Sequence, residues 1–298
     1  MNYLAGDSNR ETGGKRTRGV TRGSLPDAPL VSVVTVVKNG AEHLTKCIES
    51  VLTQSWSNIE YIIIDGGSTD GTMDIIRSYD DRIDYWLSEP DHGIFDAMNK
   101  GIALASGQLI GILNADDSYE PGAVSAAAQA LMQFAAPAVF YGDHYLVQVE
   151  LGERYEMRAS LQLWRGMTIC HQAMFVHREV YRQLGSYRLE FRLAADYDFL
   201  VRACLARVPF RYLERFVVDF RDDGASSRAL LTSNREVSTI LRRYYGPFSS
   251  PYLKNLLLTG YNLTAVAISR LIGRVLGERA RCWARTSFYR ITGRRRPA

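Results

Sequence analysis

The chain has 298 residues, of which 46% are apolar and 23% charged, with a formal net charge of +4. That length and balance suit one large or two small globular domains and exclude collagen-like, low-complexity and largely disordered chains. The charge is uneven: residues 242–298 carry +11, residues 1–29 carry +2, and the stretch between them carries −9.

Residues 1–29 are rich in Gly, Thr, Arg, Ser and Pro with little apolar periodicity, which predicts a disordered basic arm. From Pro29 the pattern changes. Val31 to Val37 is an apolar, β-branched run that predicts a buried strand. A Lys38-Asn39-Gly40 turn follows, then helical spacing over 41–53 with Leu44, Ile48, Val51 and Leu52 on one side. Ile59 to Ile64 predicts a second strand, ending at Asp65. A Gly66 to Gly71 loop leads into a short helix through about Tyr79. Strands over Ile83 to Leu87 and Leu109 to Leu113 flank a helix over His92 to Ala105. The last of these strands runs into Asn114-Ala115-Asp116-Asp117. Beyond 136, Val139 to Tyr141, Tyr145 to Val149, Ala173 to Val176 and Arg211 to Phe220 read as strands, with helices over about 178–184 and Ala195 to Leu205. Strand–helix alternation with short loops predicts an α/β fold with a mostly parallel sheet and helices on both faces.

In such sheets ligands bind beyond the carboxyl ends of the strands. Three successive strand ends carry polar clusters: Lys38-Asn39, Asp65 to Asp70, and Asn114 to Asp117. Adjacent carboxylates at a strand end are hard oxygen ligands, suited to Mg²⁺ or Mn²⁺ bridging a diphosphate, but the same residues also form turns and helix caps. The glycines after Asp65 let backbone approach a ligand, or form a capped loop-to-helix junction. Asp96, Asn99 and Lys100 share a helix face, from which Lys100 could meet a phosphate. The four cysteines, Cys47, Cys170, Cys204 and Cys282, lack zinc spacing and read as reduced thiols.

In order and spacing, these pieces resemble glycosyltransferase family 2, the inverting enzymes of GT-A fold, especially those of bacterial colanic acid, O-antigen and capsule assembly. The resemblance spans roughly 30–225. It is carried by VSVVTVVKNG at 31–40, SVLTQSWSNIEYIIIDGGSTDGT at 50–72 and SEPDHGIFDAMNKGIALASG at 88–107. NADD at 114–117, HQAMF at 171–175 and AADYDFLVRA at 194–203 complete it. It implies a nucleotide-sugar donor, UDP-sugar before GDP-sugar, and a saccharide acceptor, free or lipid-linked. It implies that Val36, Lys38 and Asp65 meet the nucleotide, with Asp65 on the base. Asp117 would be the direct ligand of Mn²⁺ or Mg²⁺, with Asp116 nearer the ribose and shared with the metal. Asp196 matches the catalytic base, with Asp198 structural. An inverting transfer needs a carboxylate on the face opposite the leaving diphosphate, to take the acceptor hydroxyl proton. Asn114, His171 and Arg221 are further candidates for donor or acceptor contact; His171 reads equally as a satisfied structural histidine.

Residues 253–276 carry an apolar series, and Arg270, Arg274, Arg281 and Arg285 fall on one side of a continuous helix. This reads as a basic amphipathic segment on an anionic leaflet, or as a helix packed on the catalytic domain. No nucleic-acid motif accompanies the charge. The expected division is therefore an arm over 1–29, a catalytic domain over 30–228 and a basic amphipathic helical tail over 229–298. Within the catalytic domain the nucleotide-binding half is about 30–117 and the acceptor half about 118–228. With neither a signal peptide nor a spanning apolar stretch of roughly 18 to 20 residues, the expected location is cytoplasmic, with the cytoplasmic face of the inner membrane as the alternative that the basic tail offers. The rival functions are a non-catalytic nucleotide-sugar-binding protein of this fold and a transferase with a non-saccharide acceptor.

Overall fold

The computed structural model describes residues 10–149, 152–221, 230–261 and 264. Its centre is a ten-stranded mixed sheet. The strands are β1 (Glu11–Gly13), β2 (Val31–Val37), β3 (Ile59–Asp65), β4 (Tyr85–Ser88), β5 (Leu109–Asn114), β6 (Ser118–Tyr119), β7 (Val139–Gln148), β8 (Glu153–Met157), β9 (Met174–His177) and β10 (Phe210–Arg221). They lie in the order β1-β4-β3-β2-β5-β9-β7-β10-β6, with β8 paired to β7. β4, β3, β2 and β5 are parallel, and β9 runs antiparallel to both β5 and β7.

Strand periodicity explains the layers. In β2, Val34 and Val36 face one side and Val31, Val33 and Val37 the other; in β3, Ile62 and Ile64 oppose Tyr61 and Ile63. Both faces are apolar, so both are covered. Helices α1 (Ala41–Leu52), α2 (Thr72–Ser78) and α4 (Ala123–Phe134) cover one face. Helices α3 (Ile94–Leu104), α5 (Arg178–Leu184), α6 (Ala195–Leu205) and α7 (Leu230–Tyr245) pack over the other. The chain moves outward from β2 to β3 and β4, then returns across β2 to β5. That reversal opens a crevice at the carboxyl ends of β2 and β5.

Four differences from the sequence reading have physical causes. Residues 10–29 are not a disordered arm: β1 pairs with β4, and Gly13 lies so close to Trp86 that a Cβ there would stand 2.3 Å from the ring. The arginines of this segment are matched to acids of the body. Arg16 reaches Glu60 at 3.3 Å and Arg22 reaches Asp84 at 2.9 Å. Such pairing is invisible to local composition. Residues 1–9 lie outside the described residues. Strand β7 is continuous through Gly142-Asp143, where the sequence suggested a break. Gly142 sits flush against Val217, and the fully buried Asp143 is satisfied by Arg158, the Ala159 amide and Tyr212. Helix α4 had no predicted counterpart, because its buried stripe is built largely from alanine (Ala123, Ala127, Ala128, with Val124 and Leu131). Lastly, the packed body does not end at 228. Val237, Ile240 and Leu241 of α7 are core residues, and Asn255 of a further helix over 250–261 is buried.

Candidate active site

The loop after β2 is latched to the loop after β3. Asn39 takes a left-handed backbone (φ 52°), and its side-chain oxygen accepts from the Thr69 amide at 2.8 Å. The Ser68 hydroxyl accepts from the Asn39 amide, and the Thr72 hydroxyl from the Gly40 amide. This holds the Lys38–Gly40 backbone at the crevice rim without burying Lys38, which stays exposed.

A cavity of about 740 Å³ opens there. Val36 and Lys38 from β2 and its loop line it, with Asn114 and Asp116 from the end of β5. His171, Asp196 and Arg221 complete the expected set, coming from a 3-10 turn, the first turn of α6 and the end of β10. Seven of the ten residues singled out in the sequence thus meet in one cavity.

The other three do not line it, each for a clear reason. Asp65 is 1% exposed, and its carboxylate is consumed locally by the Gly67 and Ser68 amides and the Ser68 and Ser88 hydroxyls. Lys100 is buried and ion-paired to Glu89 at 2.9 Å, donates to the Pro90 carbonyl, and lies 3.6 Å from Asp96. It ties the loop before α3 to the first turn of that helix. Asp117, expected as the direct metal ligand, is buried behind the cavity wall. Its two oxygens accept from Gln172 Nε2 at 2.7 Å and the Arg221 amide at 2.9 Å. Burial, with Asp116 beside it, raises its carboxyl well above the usual range. Asp116 is therefore the carboxylate at the cavity, and Asp117 ties β5, the 171–173 turn and β10 together beneath it.

Asp196 and His171 form a pair. One Asp196 oxygen accepts from its own Tyr197 amide at 2.8 Å, and the other lies 3.3 Å from His171 Nδ1. Asp198, two residues on, is fully buried and bonded to Arg202 at 2.8 Å and the Tyr244 hydroxyl at 2.9 Å, a structural role.

Asn114 Oδ1, His171 Nε2 and Asn234 Nδ2 are buried with no hydrogen-bond partner among the described residues, and all three residues line this cavity. An unmet buried polar atom costs about 1–3 kcal/mol, so three around one cavity mark a surface shaped for a polar ligand. Asn234, Ser233 and Val237 from α7, and Asn255, Leu258 and Thr259 from the 250–261 helix, were not anticipated. No local motif singles them out; only the docking of α7 and the 250–261 helix brings them to the cavity.

Among the described residues, no group of three or more His, Cys, Asp or Glu side chains is placed to hold a metal ion. The cavity does present a partial hard-oxygen set, the Asp116 carboxylate with the unpartnered Asn114 oxygen. That suits a divalent ion which draws its remaining oxygens from a diphosphate.

The sequence model described as Glycosyl transferase family 2 matches residues 32–185. The chain belongs to this family. A PGL/p-HBAD biosynthesis glycosyltransferase of Mycobacterium tuberculosis is 31% identical over 220 residues, covering 68% of this chain and 81% of the relative. An uncharacterized glycosyltransferase of the same species is 32% identical over 245 residues, covering 79% and 92%. Among solved structures, mannosyltransferase PcManGT from Pyrobaculum calidifontis, in complex with GDP-Man and Mn²⁺, aligns with a TM-score of 0.56 at 16% identity, over 93% of this chain and 90% of that one. TarS from Staphylococcus aureus, in complex with UDP-GlcNAc, aligns with a TM-score of 0.55 at 15% identity, over 82% and 74%. At such identities these likenesses establish the fold, which is GT-A. This family 2 chain is a glycosyltransferase.

Proposed function

We propose that this family 2 enzyme is a divalent-metal-dependent, inverting transferase. In this reading it moves a sugar, from a UDP-sugar in the first instance, to a hydroxyl of a lipid-linked saccharide. It would act from the cytoplasmic side of a membrane in bacterial surface polysaccharide synthesis. The observation that carries the chemistry is the convergence of Asp196 and Asp116 on one cavity. The Asp196 carboxylate takes the acceptor hydroxyl proton as that oxygen bonds the anomeric carbon and the bond from that carbon to the diphosphate breaks. His171, whose Nδ1 lies 3.3 Å from an Asp196 oxygen, faces the carboxylate. Asp116 and Asn114 would hold Mn²⁺ or Mg²⁺; when bound, the ion offsets the charge developing on the departing nucleoside diphosphate. The relatives that bind GDP-Man with Mn²⁺ and UDP-GlcNAc support both the donor class and the metal.

The membrane assignment rests on a different surface. On the 250–261 helix, Leu253, Leu256, Leu257 and Tyr261 are exposed at spacings of three, one and four residues, while Asn255, Leu258 and Thr259 of the same helix line the cavity. An outward apolar stripe beside the acceptor cavity suits a substrate whose aglycone stays in lipid. The sequence that follows, 265–298, carries nine arginines and one acid, which favours an anionic leaflet. The arginine face over 270–285 lies outside the described residues. No helix among the described residues is long and apolar enough to cross a membrane.

Calorimetry with UDP, GDP and CMP, each with Mn²⁺ and with chelator, tests the donor site. Metal-dependent binding of one nucleotide is expected. A folded protein that binds none of the three would return the chain to a fold without this activity.

A further inference from the structure

We infer that Glu236, on α7, is a positioning residue for the catalytic carboxylate Asp196. This inference rests on the reading of Asp196 as the base. Helix α6 begins at Ala195, and its N-cap residue, Ala194, offers no side-chain cap. The amides entering a helix need an acceptor from elsewhere. Here one carboxylate supplies it three times: Glu236 accepts from the amides of Arg192 at 3.0 Å, Leu193 at 2.9 Å and Ala194 at 2.9 Å. A carboxylate at a helix N-terminus also lies at the favourable end of the helix dipole.

The braced segment is itself cavity wall. Arg192, Leu193, Ala194 and Asp196 all line the site. Asp196 is fixed through backbone, since one oxygen accepts from the amide of its neighbour Tyr197. Any shift at 192–195 therefore moves the carboxylate relative to His171 and the reacting atoms. A second contact holds the same pair of helices two turns along α7, where the Tyr244 hydroxyl donates to Asp198. Val237, Ile240 and Leu241 seat α7 in the core between these two points. Helix α7 thus clamps the base-bearing helix at its start and at its first turn. It lies beyond residues 32–185, the span matched by the family model. The brace is a property of this chain's C-terminal segment, separate from the motif-bearing core.

The test uses the full chain with Glu236→Ala and Glu236→Gln, beside Asp196→Asn. Nucleotide release from UDP-GlcNAc, UDP-glucose and GDP-mannose is measured with Mn²⁺ and water as acceptor, and hydrogen exchange is read at the 192–198 amides. A displacement of about 1 Å costs on the order of 100-fold in rate. Glu236→Ala is therefore expected to lower kcat by about 10- to 100-fold with donor KM within about twofold. Exchange should rise first at 192–194. Glu236→Gln keeps one acceptor oxygen and should recover part of kcat, and it serves as the readout if the alanine variant does not fold. Unchanged kcat in folded Glu236 variants, or unchanged exchange at 192–194, overturns the inference even if thermal stability falls. Wild-type turnover by Asp196→Asn would instead remove the base assignment on which it rests.

Discussion

Replacing Asp196 with Asn separates chemistry from folding, and the geometry sets both magnitudes. Asparagine keeps a side-chain oxygen for the Tyr197 amide, now 2.8 Å away. It loses the basic oxygen that lies 3.3 Å from His171 Nδ1. The structural loss is therefore one close polar contact in a nearly buried site, no more than about 1 kcal/mol. In a chain this long that lowers Tm by no more than about 2–4 °C. On the proposed reading the chemical loss is the general base, worth about 10²- to 10⁴-fold in rate, or about 2.7–5.5 kcal/mol of barrier. In the same proposed reading donor binding uses the β2 and β5 ends and should change by less than about twofold, since Asp196 would make its interaction in the transition state. The assay pairs nucleoside diphosphate release under saturating donor with calorimetric binding of the same nucleotide. A variant within about threefold of wild-type kcat refutes the argument, as does one that loses donor binding in proportion to rate.

Other outcomes follow from neighbouring residues. Asp198→Asn should show the opposite profile. It removes the charge that pairs with Arg202, which keeps its bonds to the Leu184, Gly185 and Ser186 carbonyls. The cost is about 2–3 kcal/mol, or roughly 5–10 °C in Tm, with kcat in the surviving folded enzyme little changed. Asp116→Ala should abolish the Mn²⁺ dependence of nucleotide binding in calorimetry; retention of that dependence assigns the ion to other residues. Leu257→Glu, on the exposed stripe, should weaken co-sedimentation with phosphatidylglycerol vesicles several-fold at unchanged Tm. Equal binding would remove the membrane contact from this helix. His177 provides a pH test. Burial holds its pKa below the usual value, and its neutral Nδ1 accepts from the Glu179 amide at the start of α5. That stabilisation, about 1 kcal/mol, is present above the unfolded pKa of about 6.5 and is lost as pH falls through the lower folded value. His177→Asn should flatten this part of the Tm–pH curve, and a curve that matches wild type through that window would refute the cap.

The mostly apolar runs at 31–37, 59–65 and 109–114 suit strands covered on both faces, which read as near-continuous apolar runs. Two of their polar ends, at Lys38 and at Asn114 to Asp116, line the cavity. Asp116 and Asp196 were legible as carboxylates in family-like segments. What lay beyond the sequence was which oxygen faces the cavity. Asp116 and Asp117 are neighbours with identical side chains, and only the packing of Gln172 and the Arg221 amide over Asp117 commits that residue to the interior. Asp65 and Lys100 stand at the right places in the chain, yet the low dielectric around them demands local partners, and those partners consume them. The paired bases of 10–22 and the Glu236 brace depend on contacts across 40 or more residues, such as Arg16 with Glu60 and Glu236 with Arg192. Local composition encodes periodicity and turn chemistry. Pairings at that separation are chosen by the shape into which the sheet and helices close, and so the tertiary structure alone decided them.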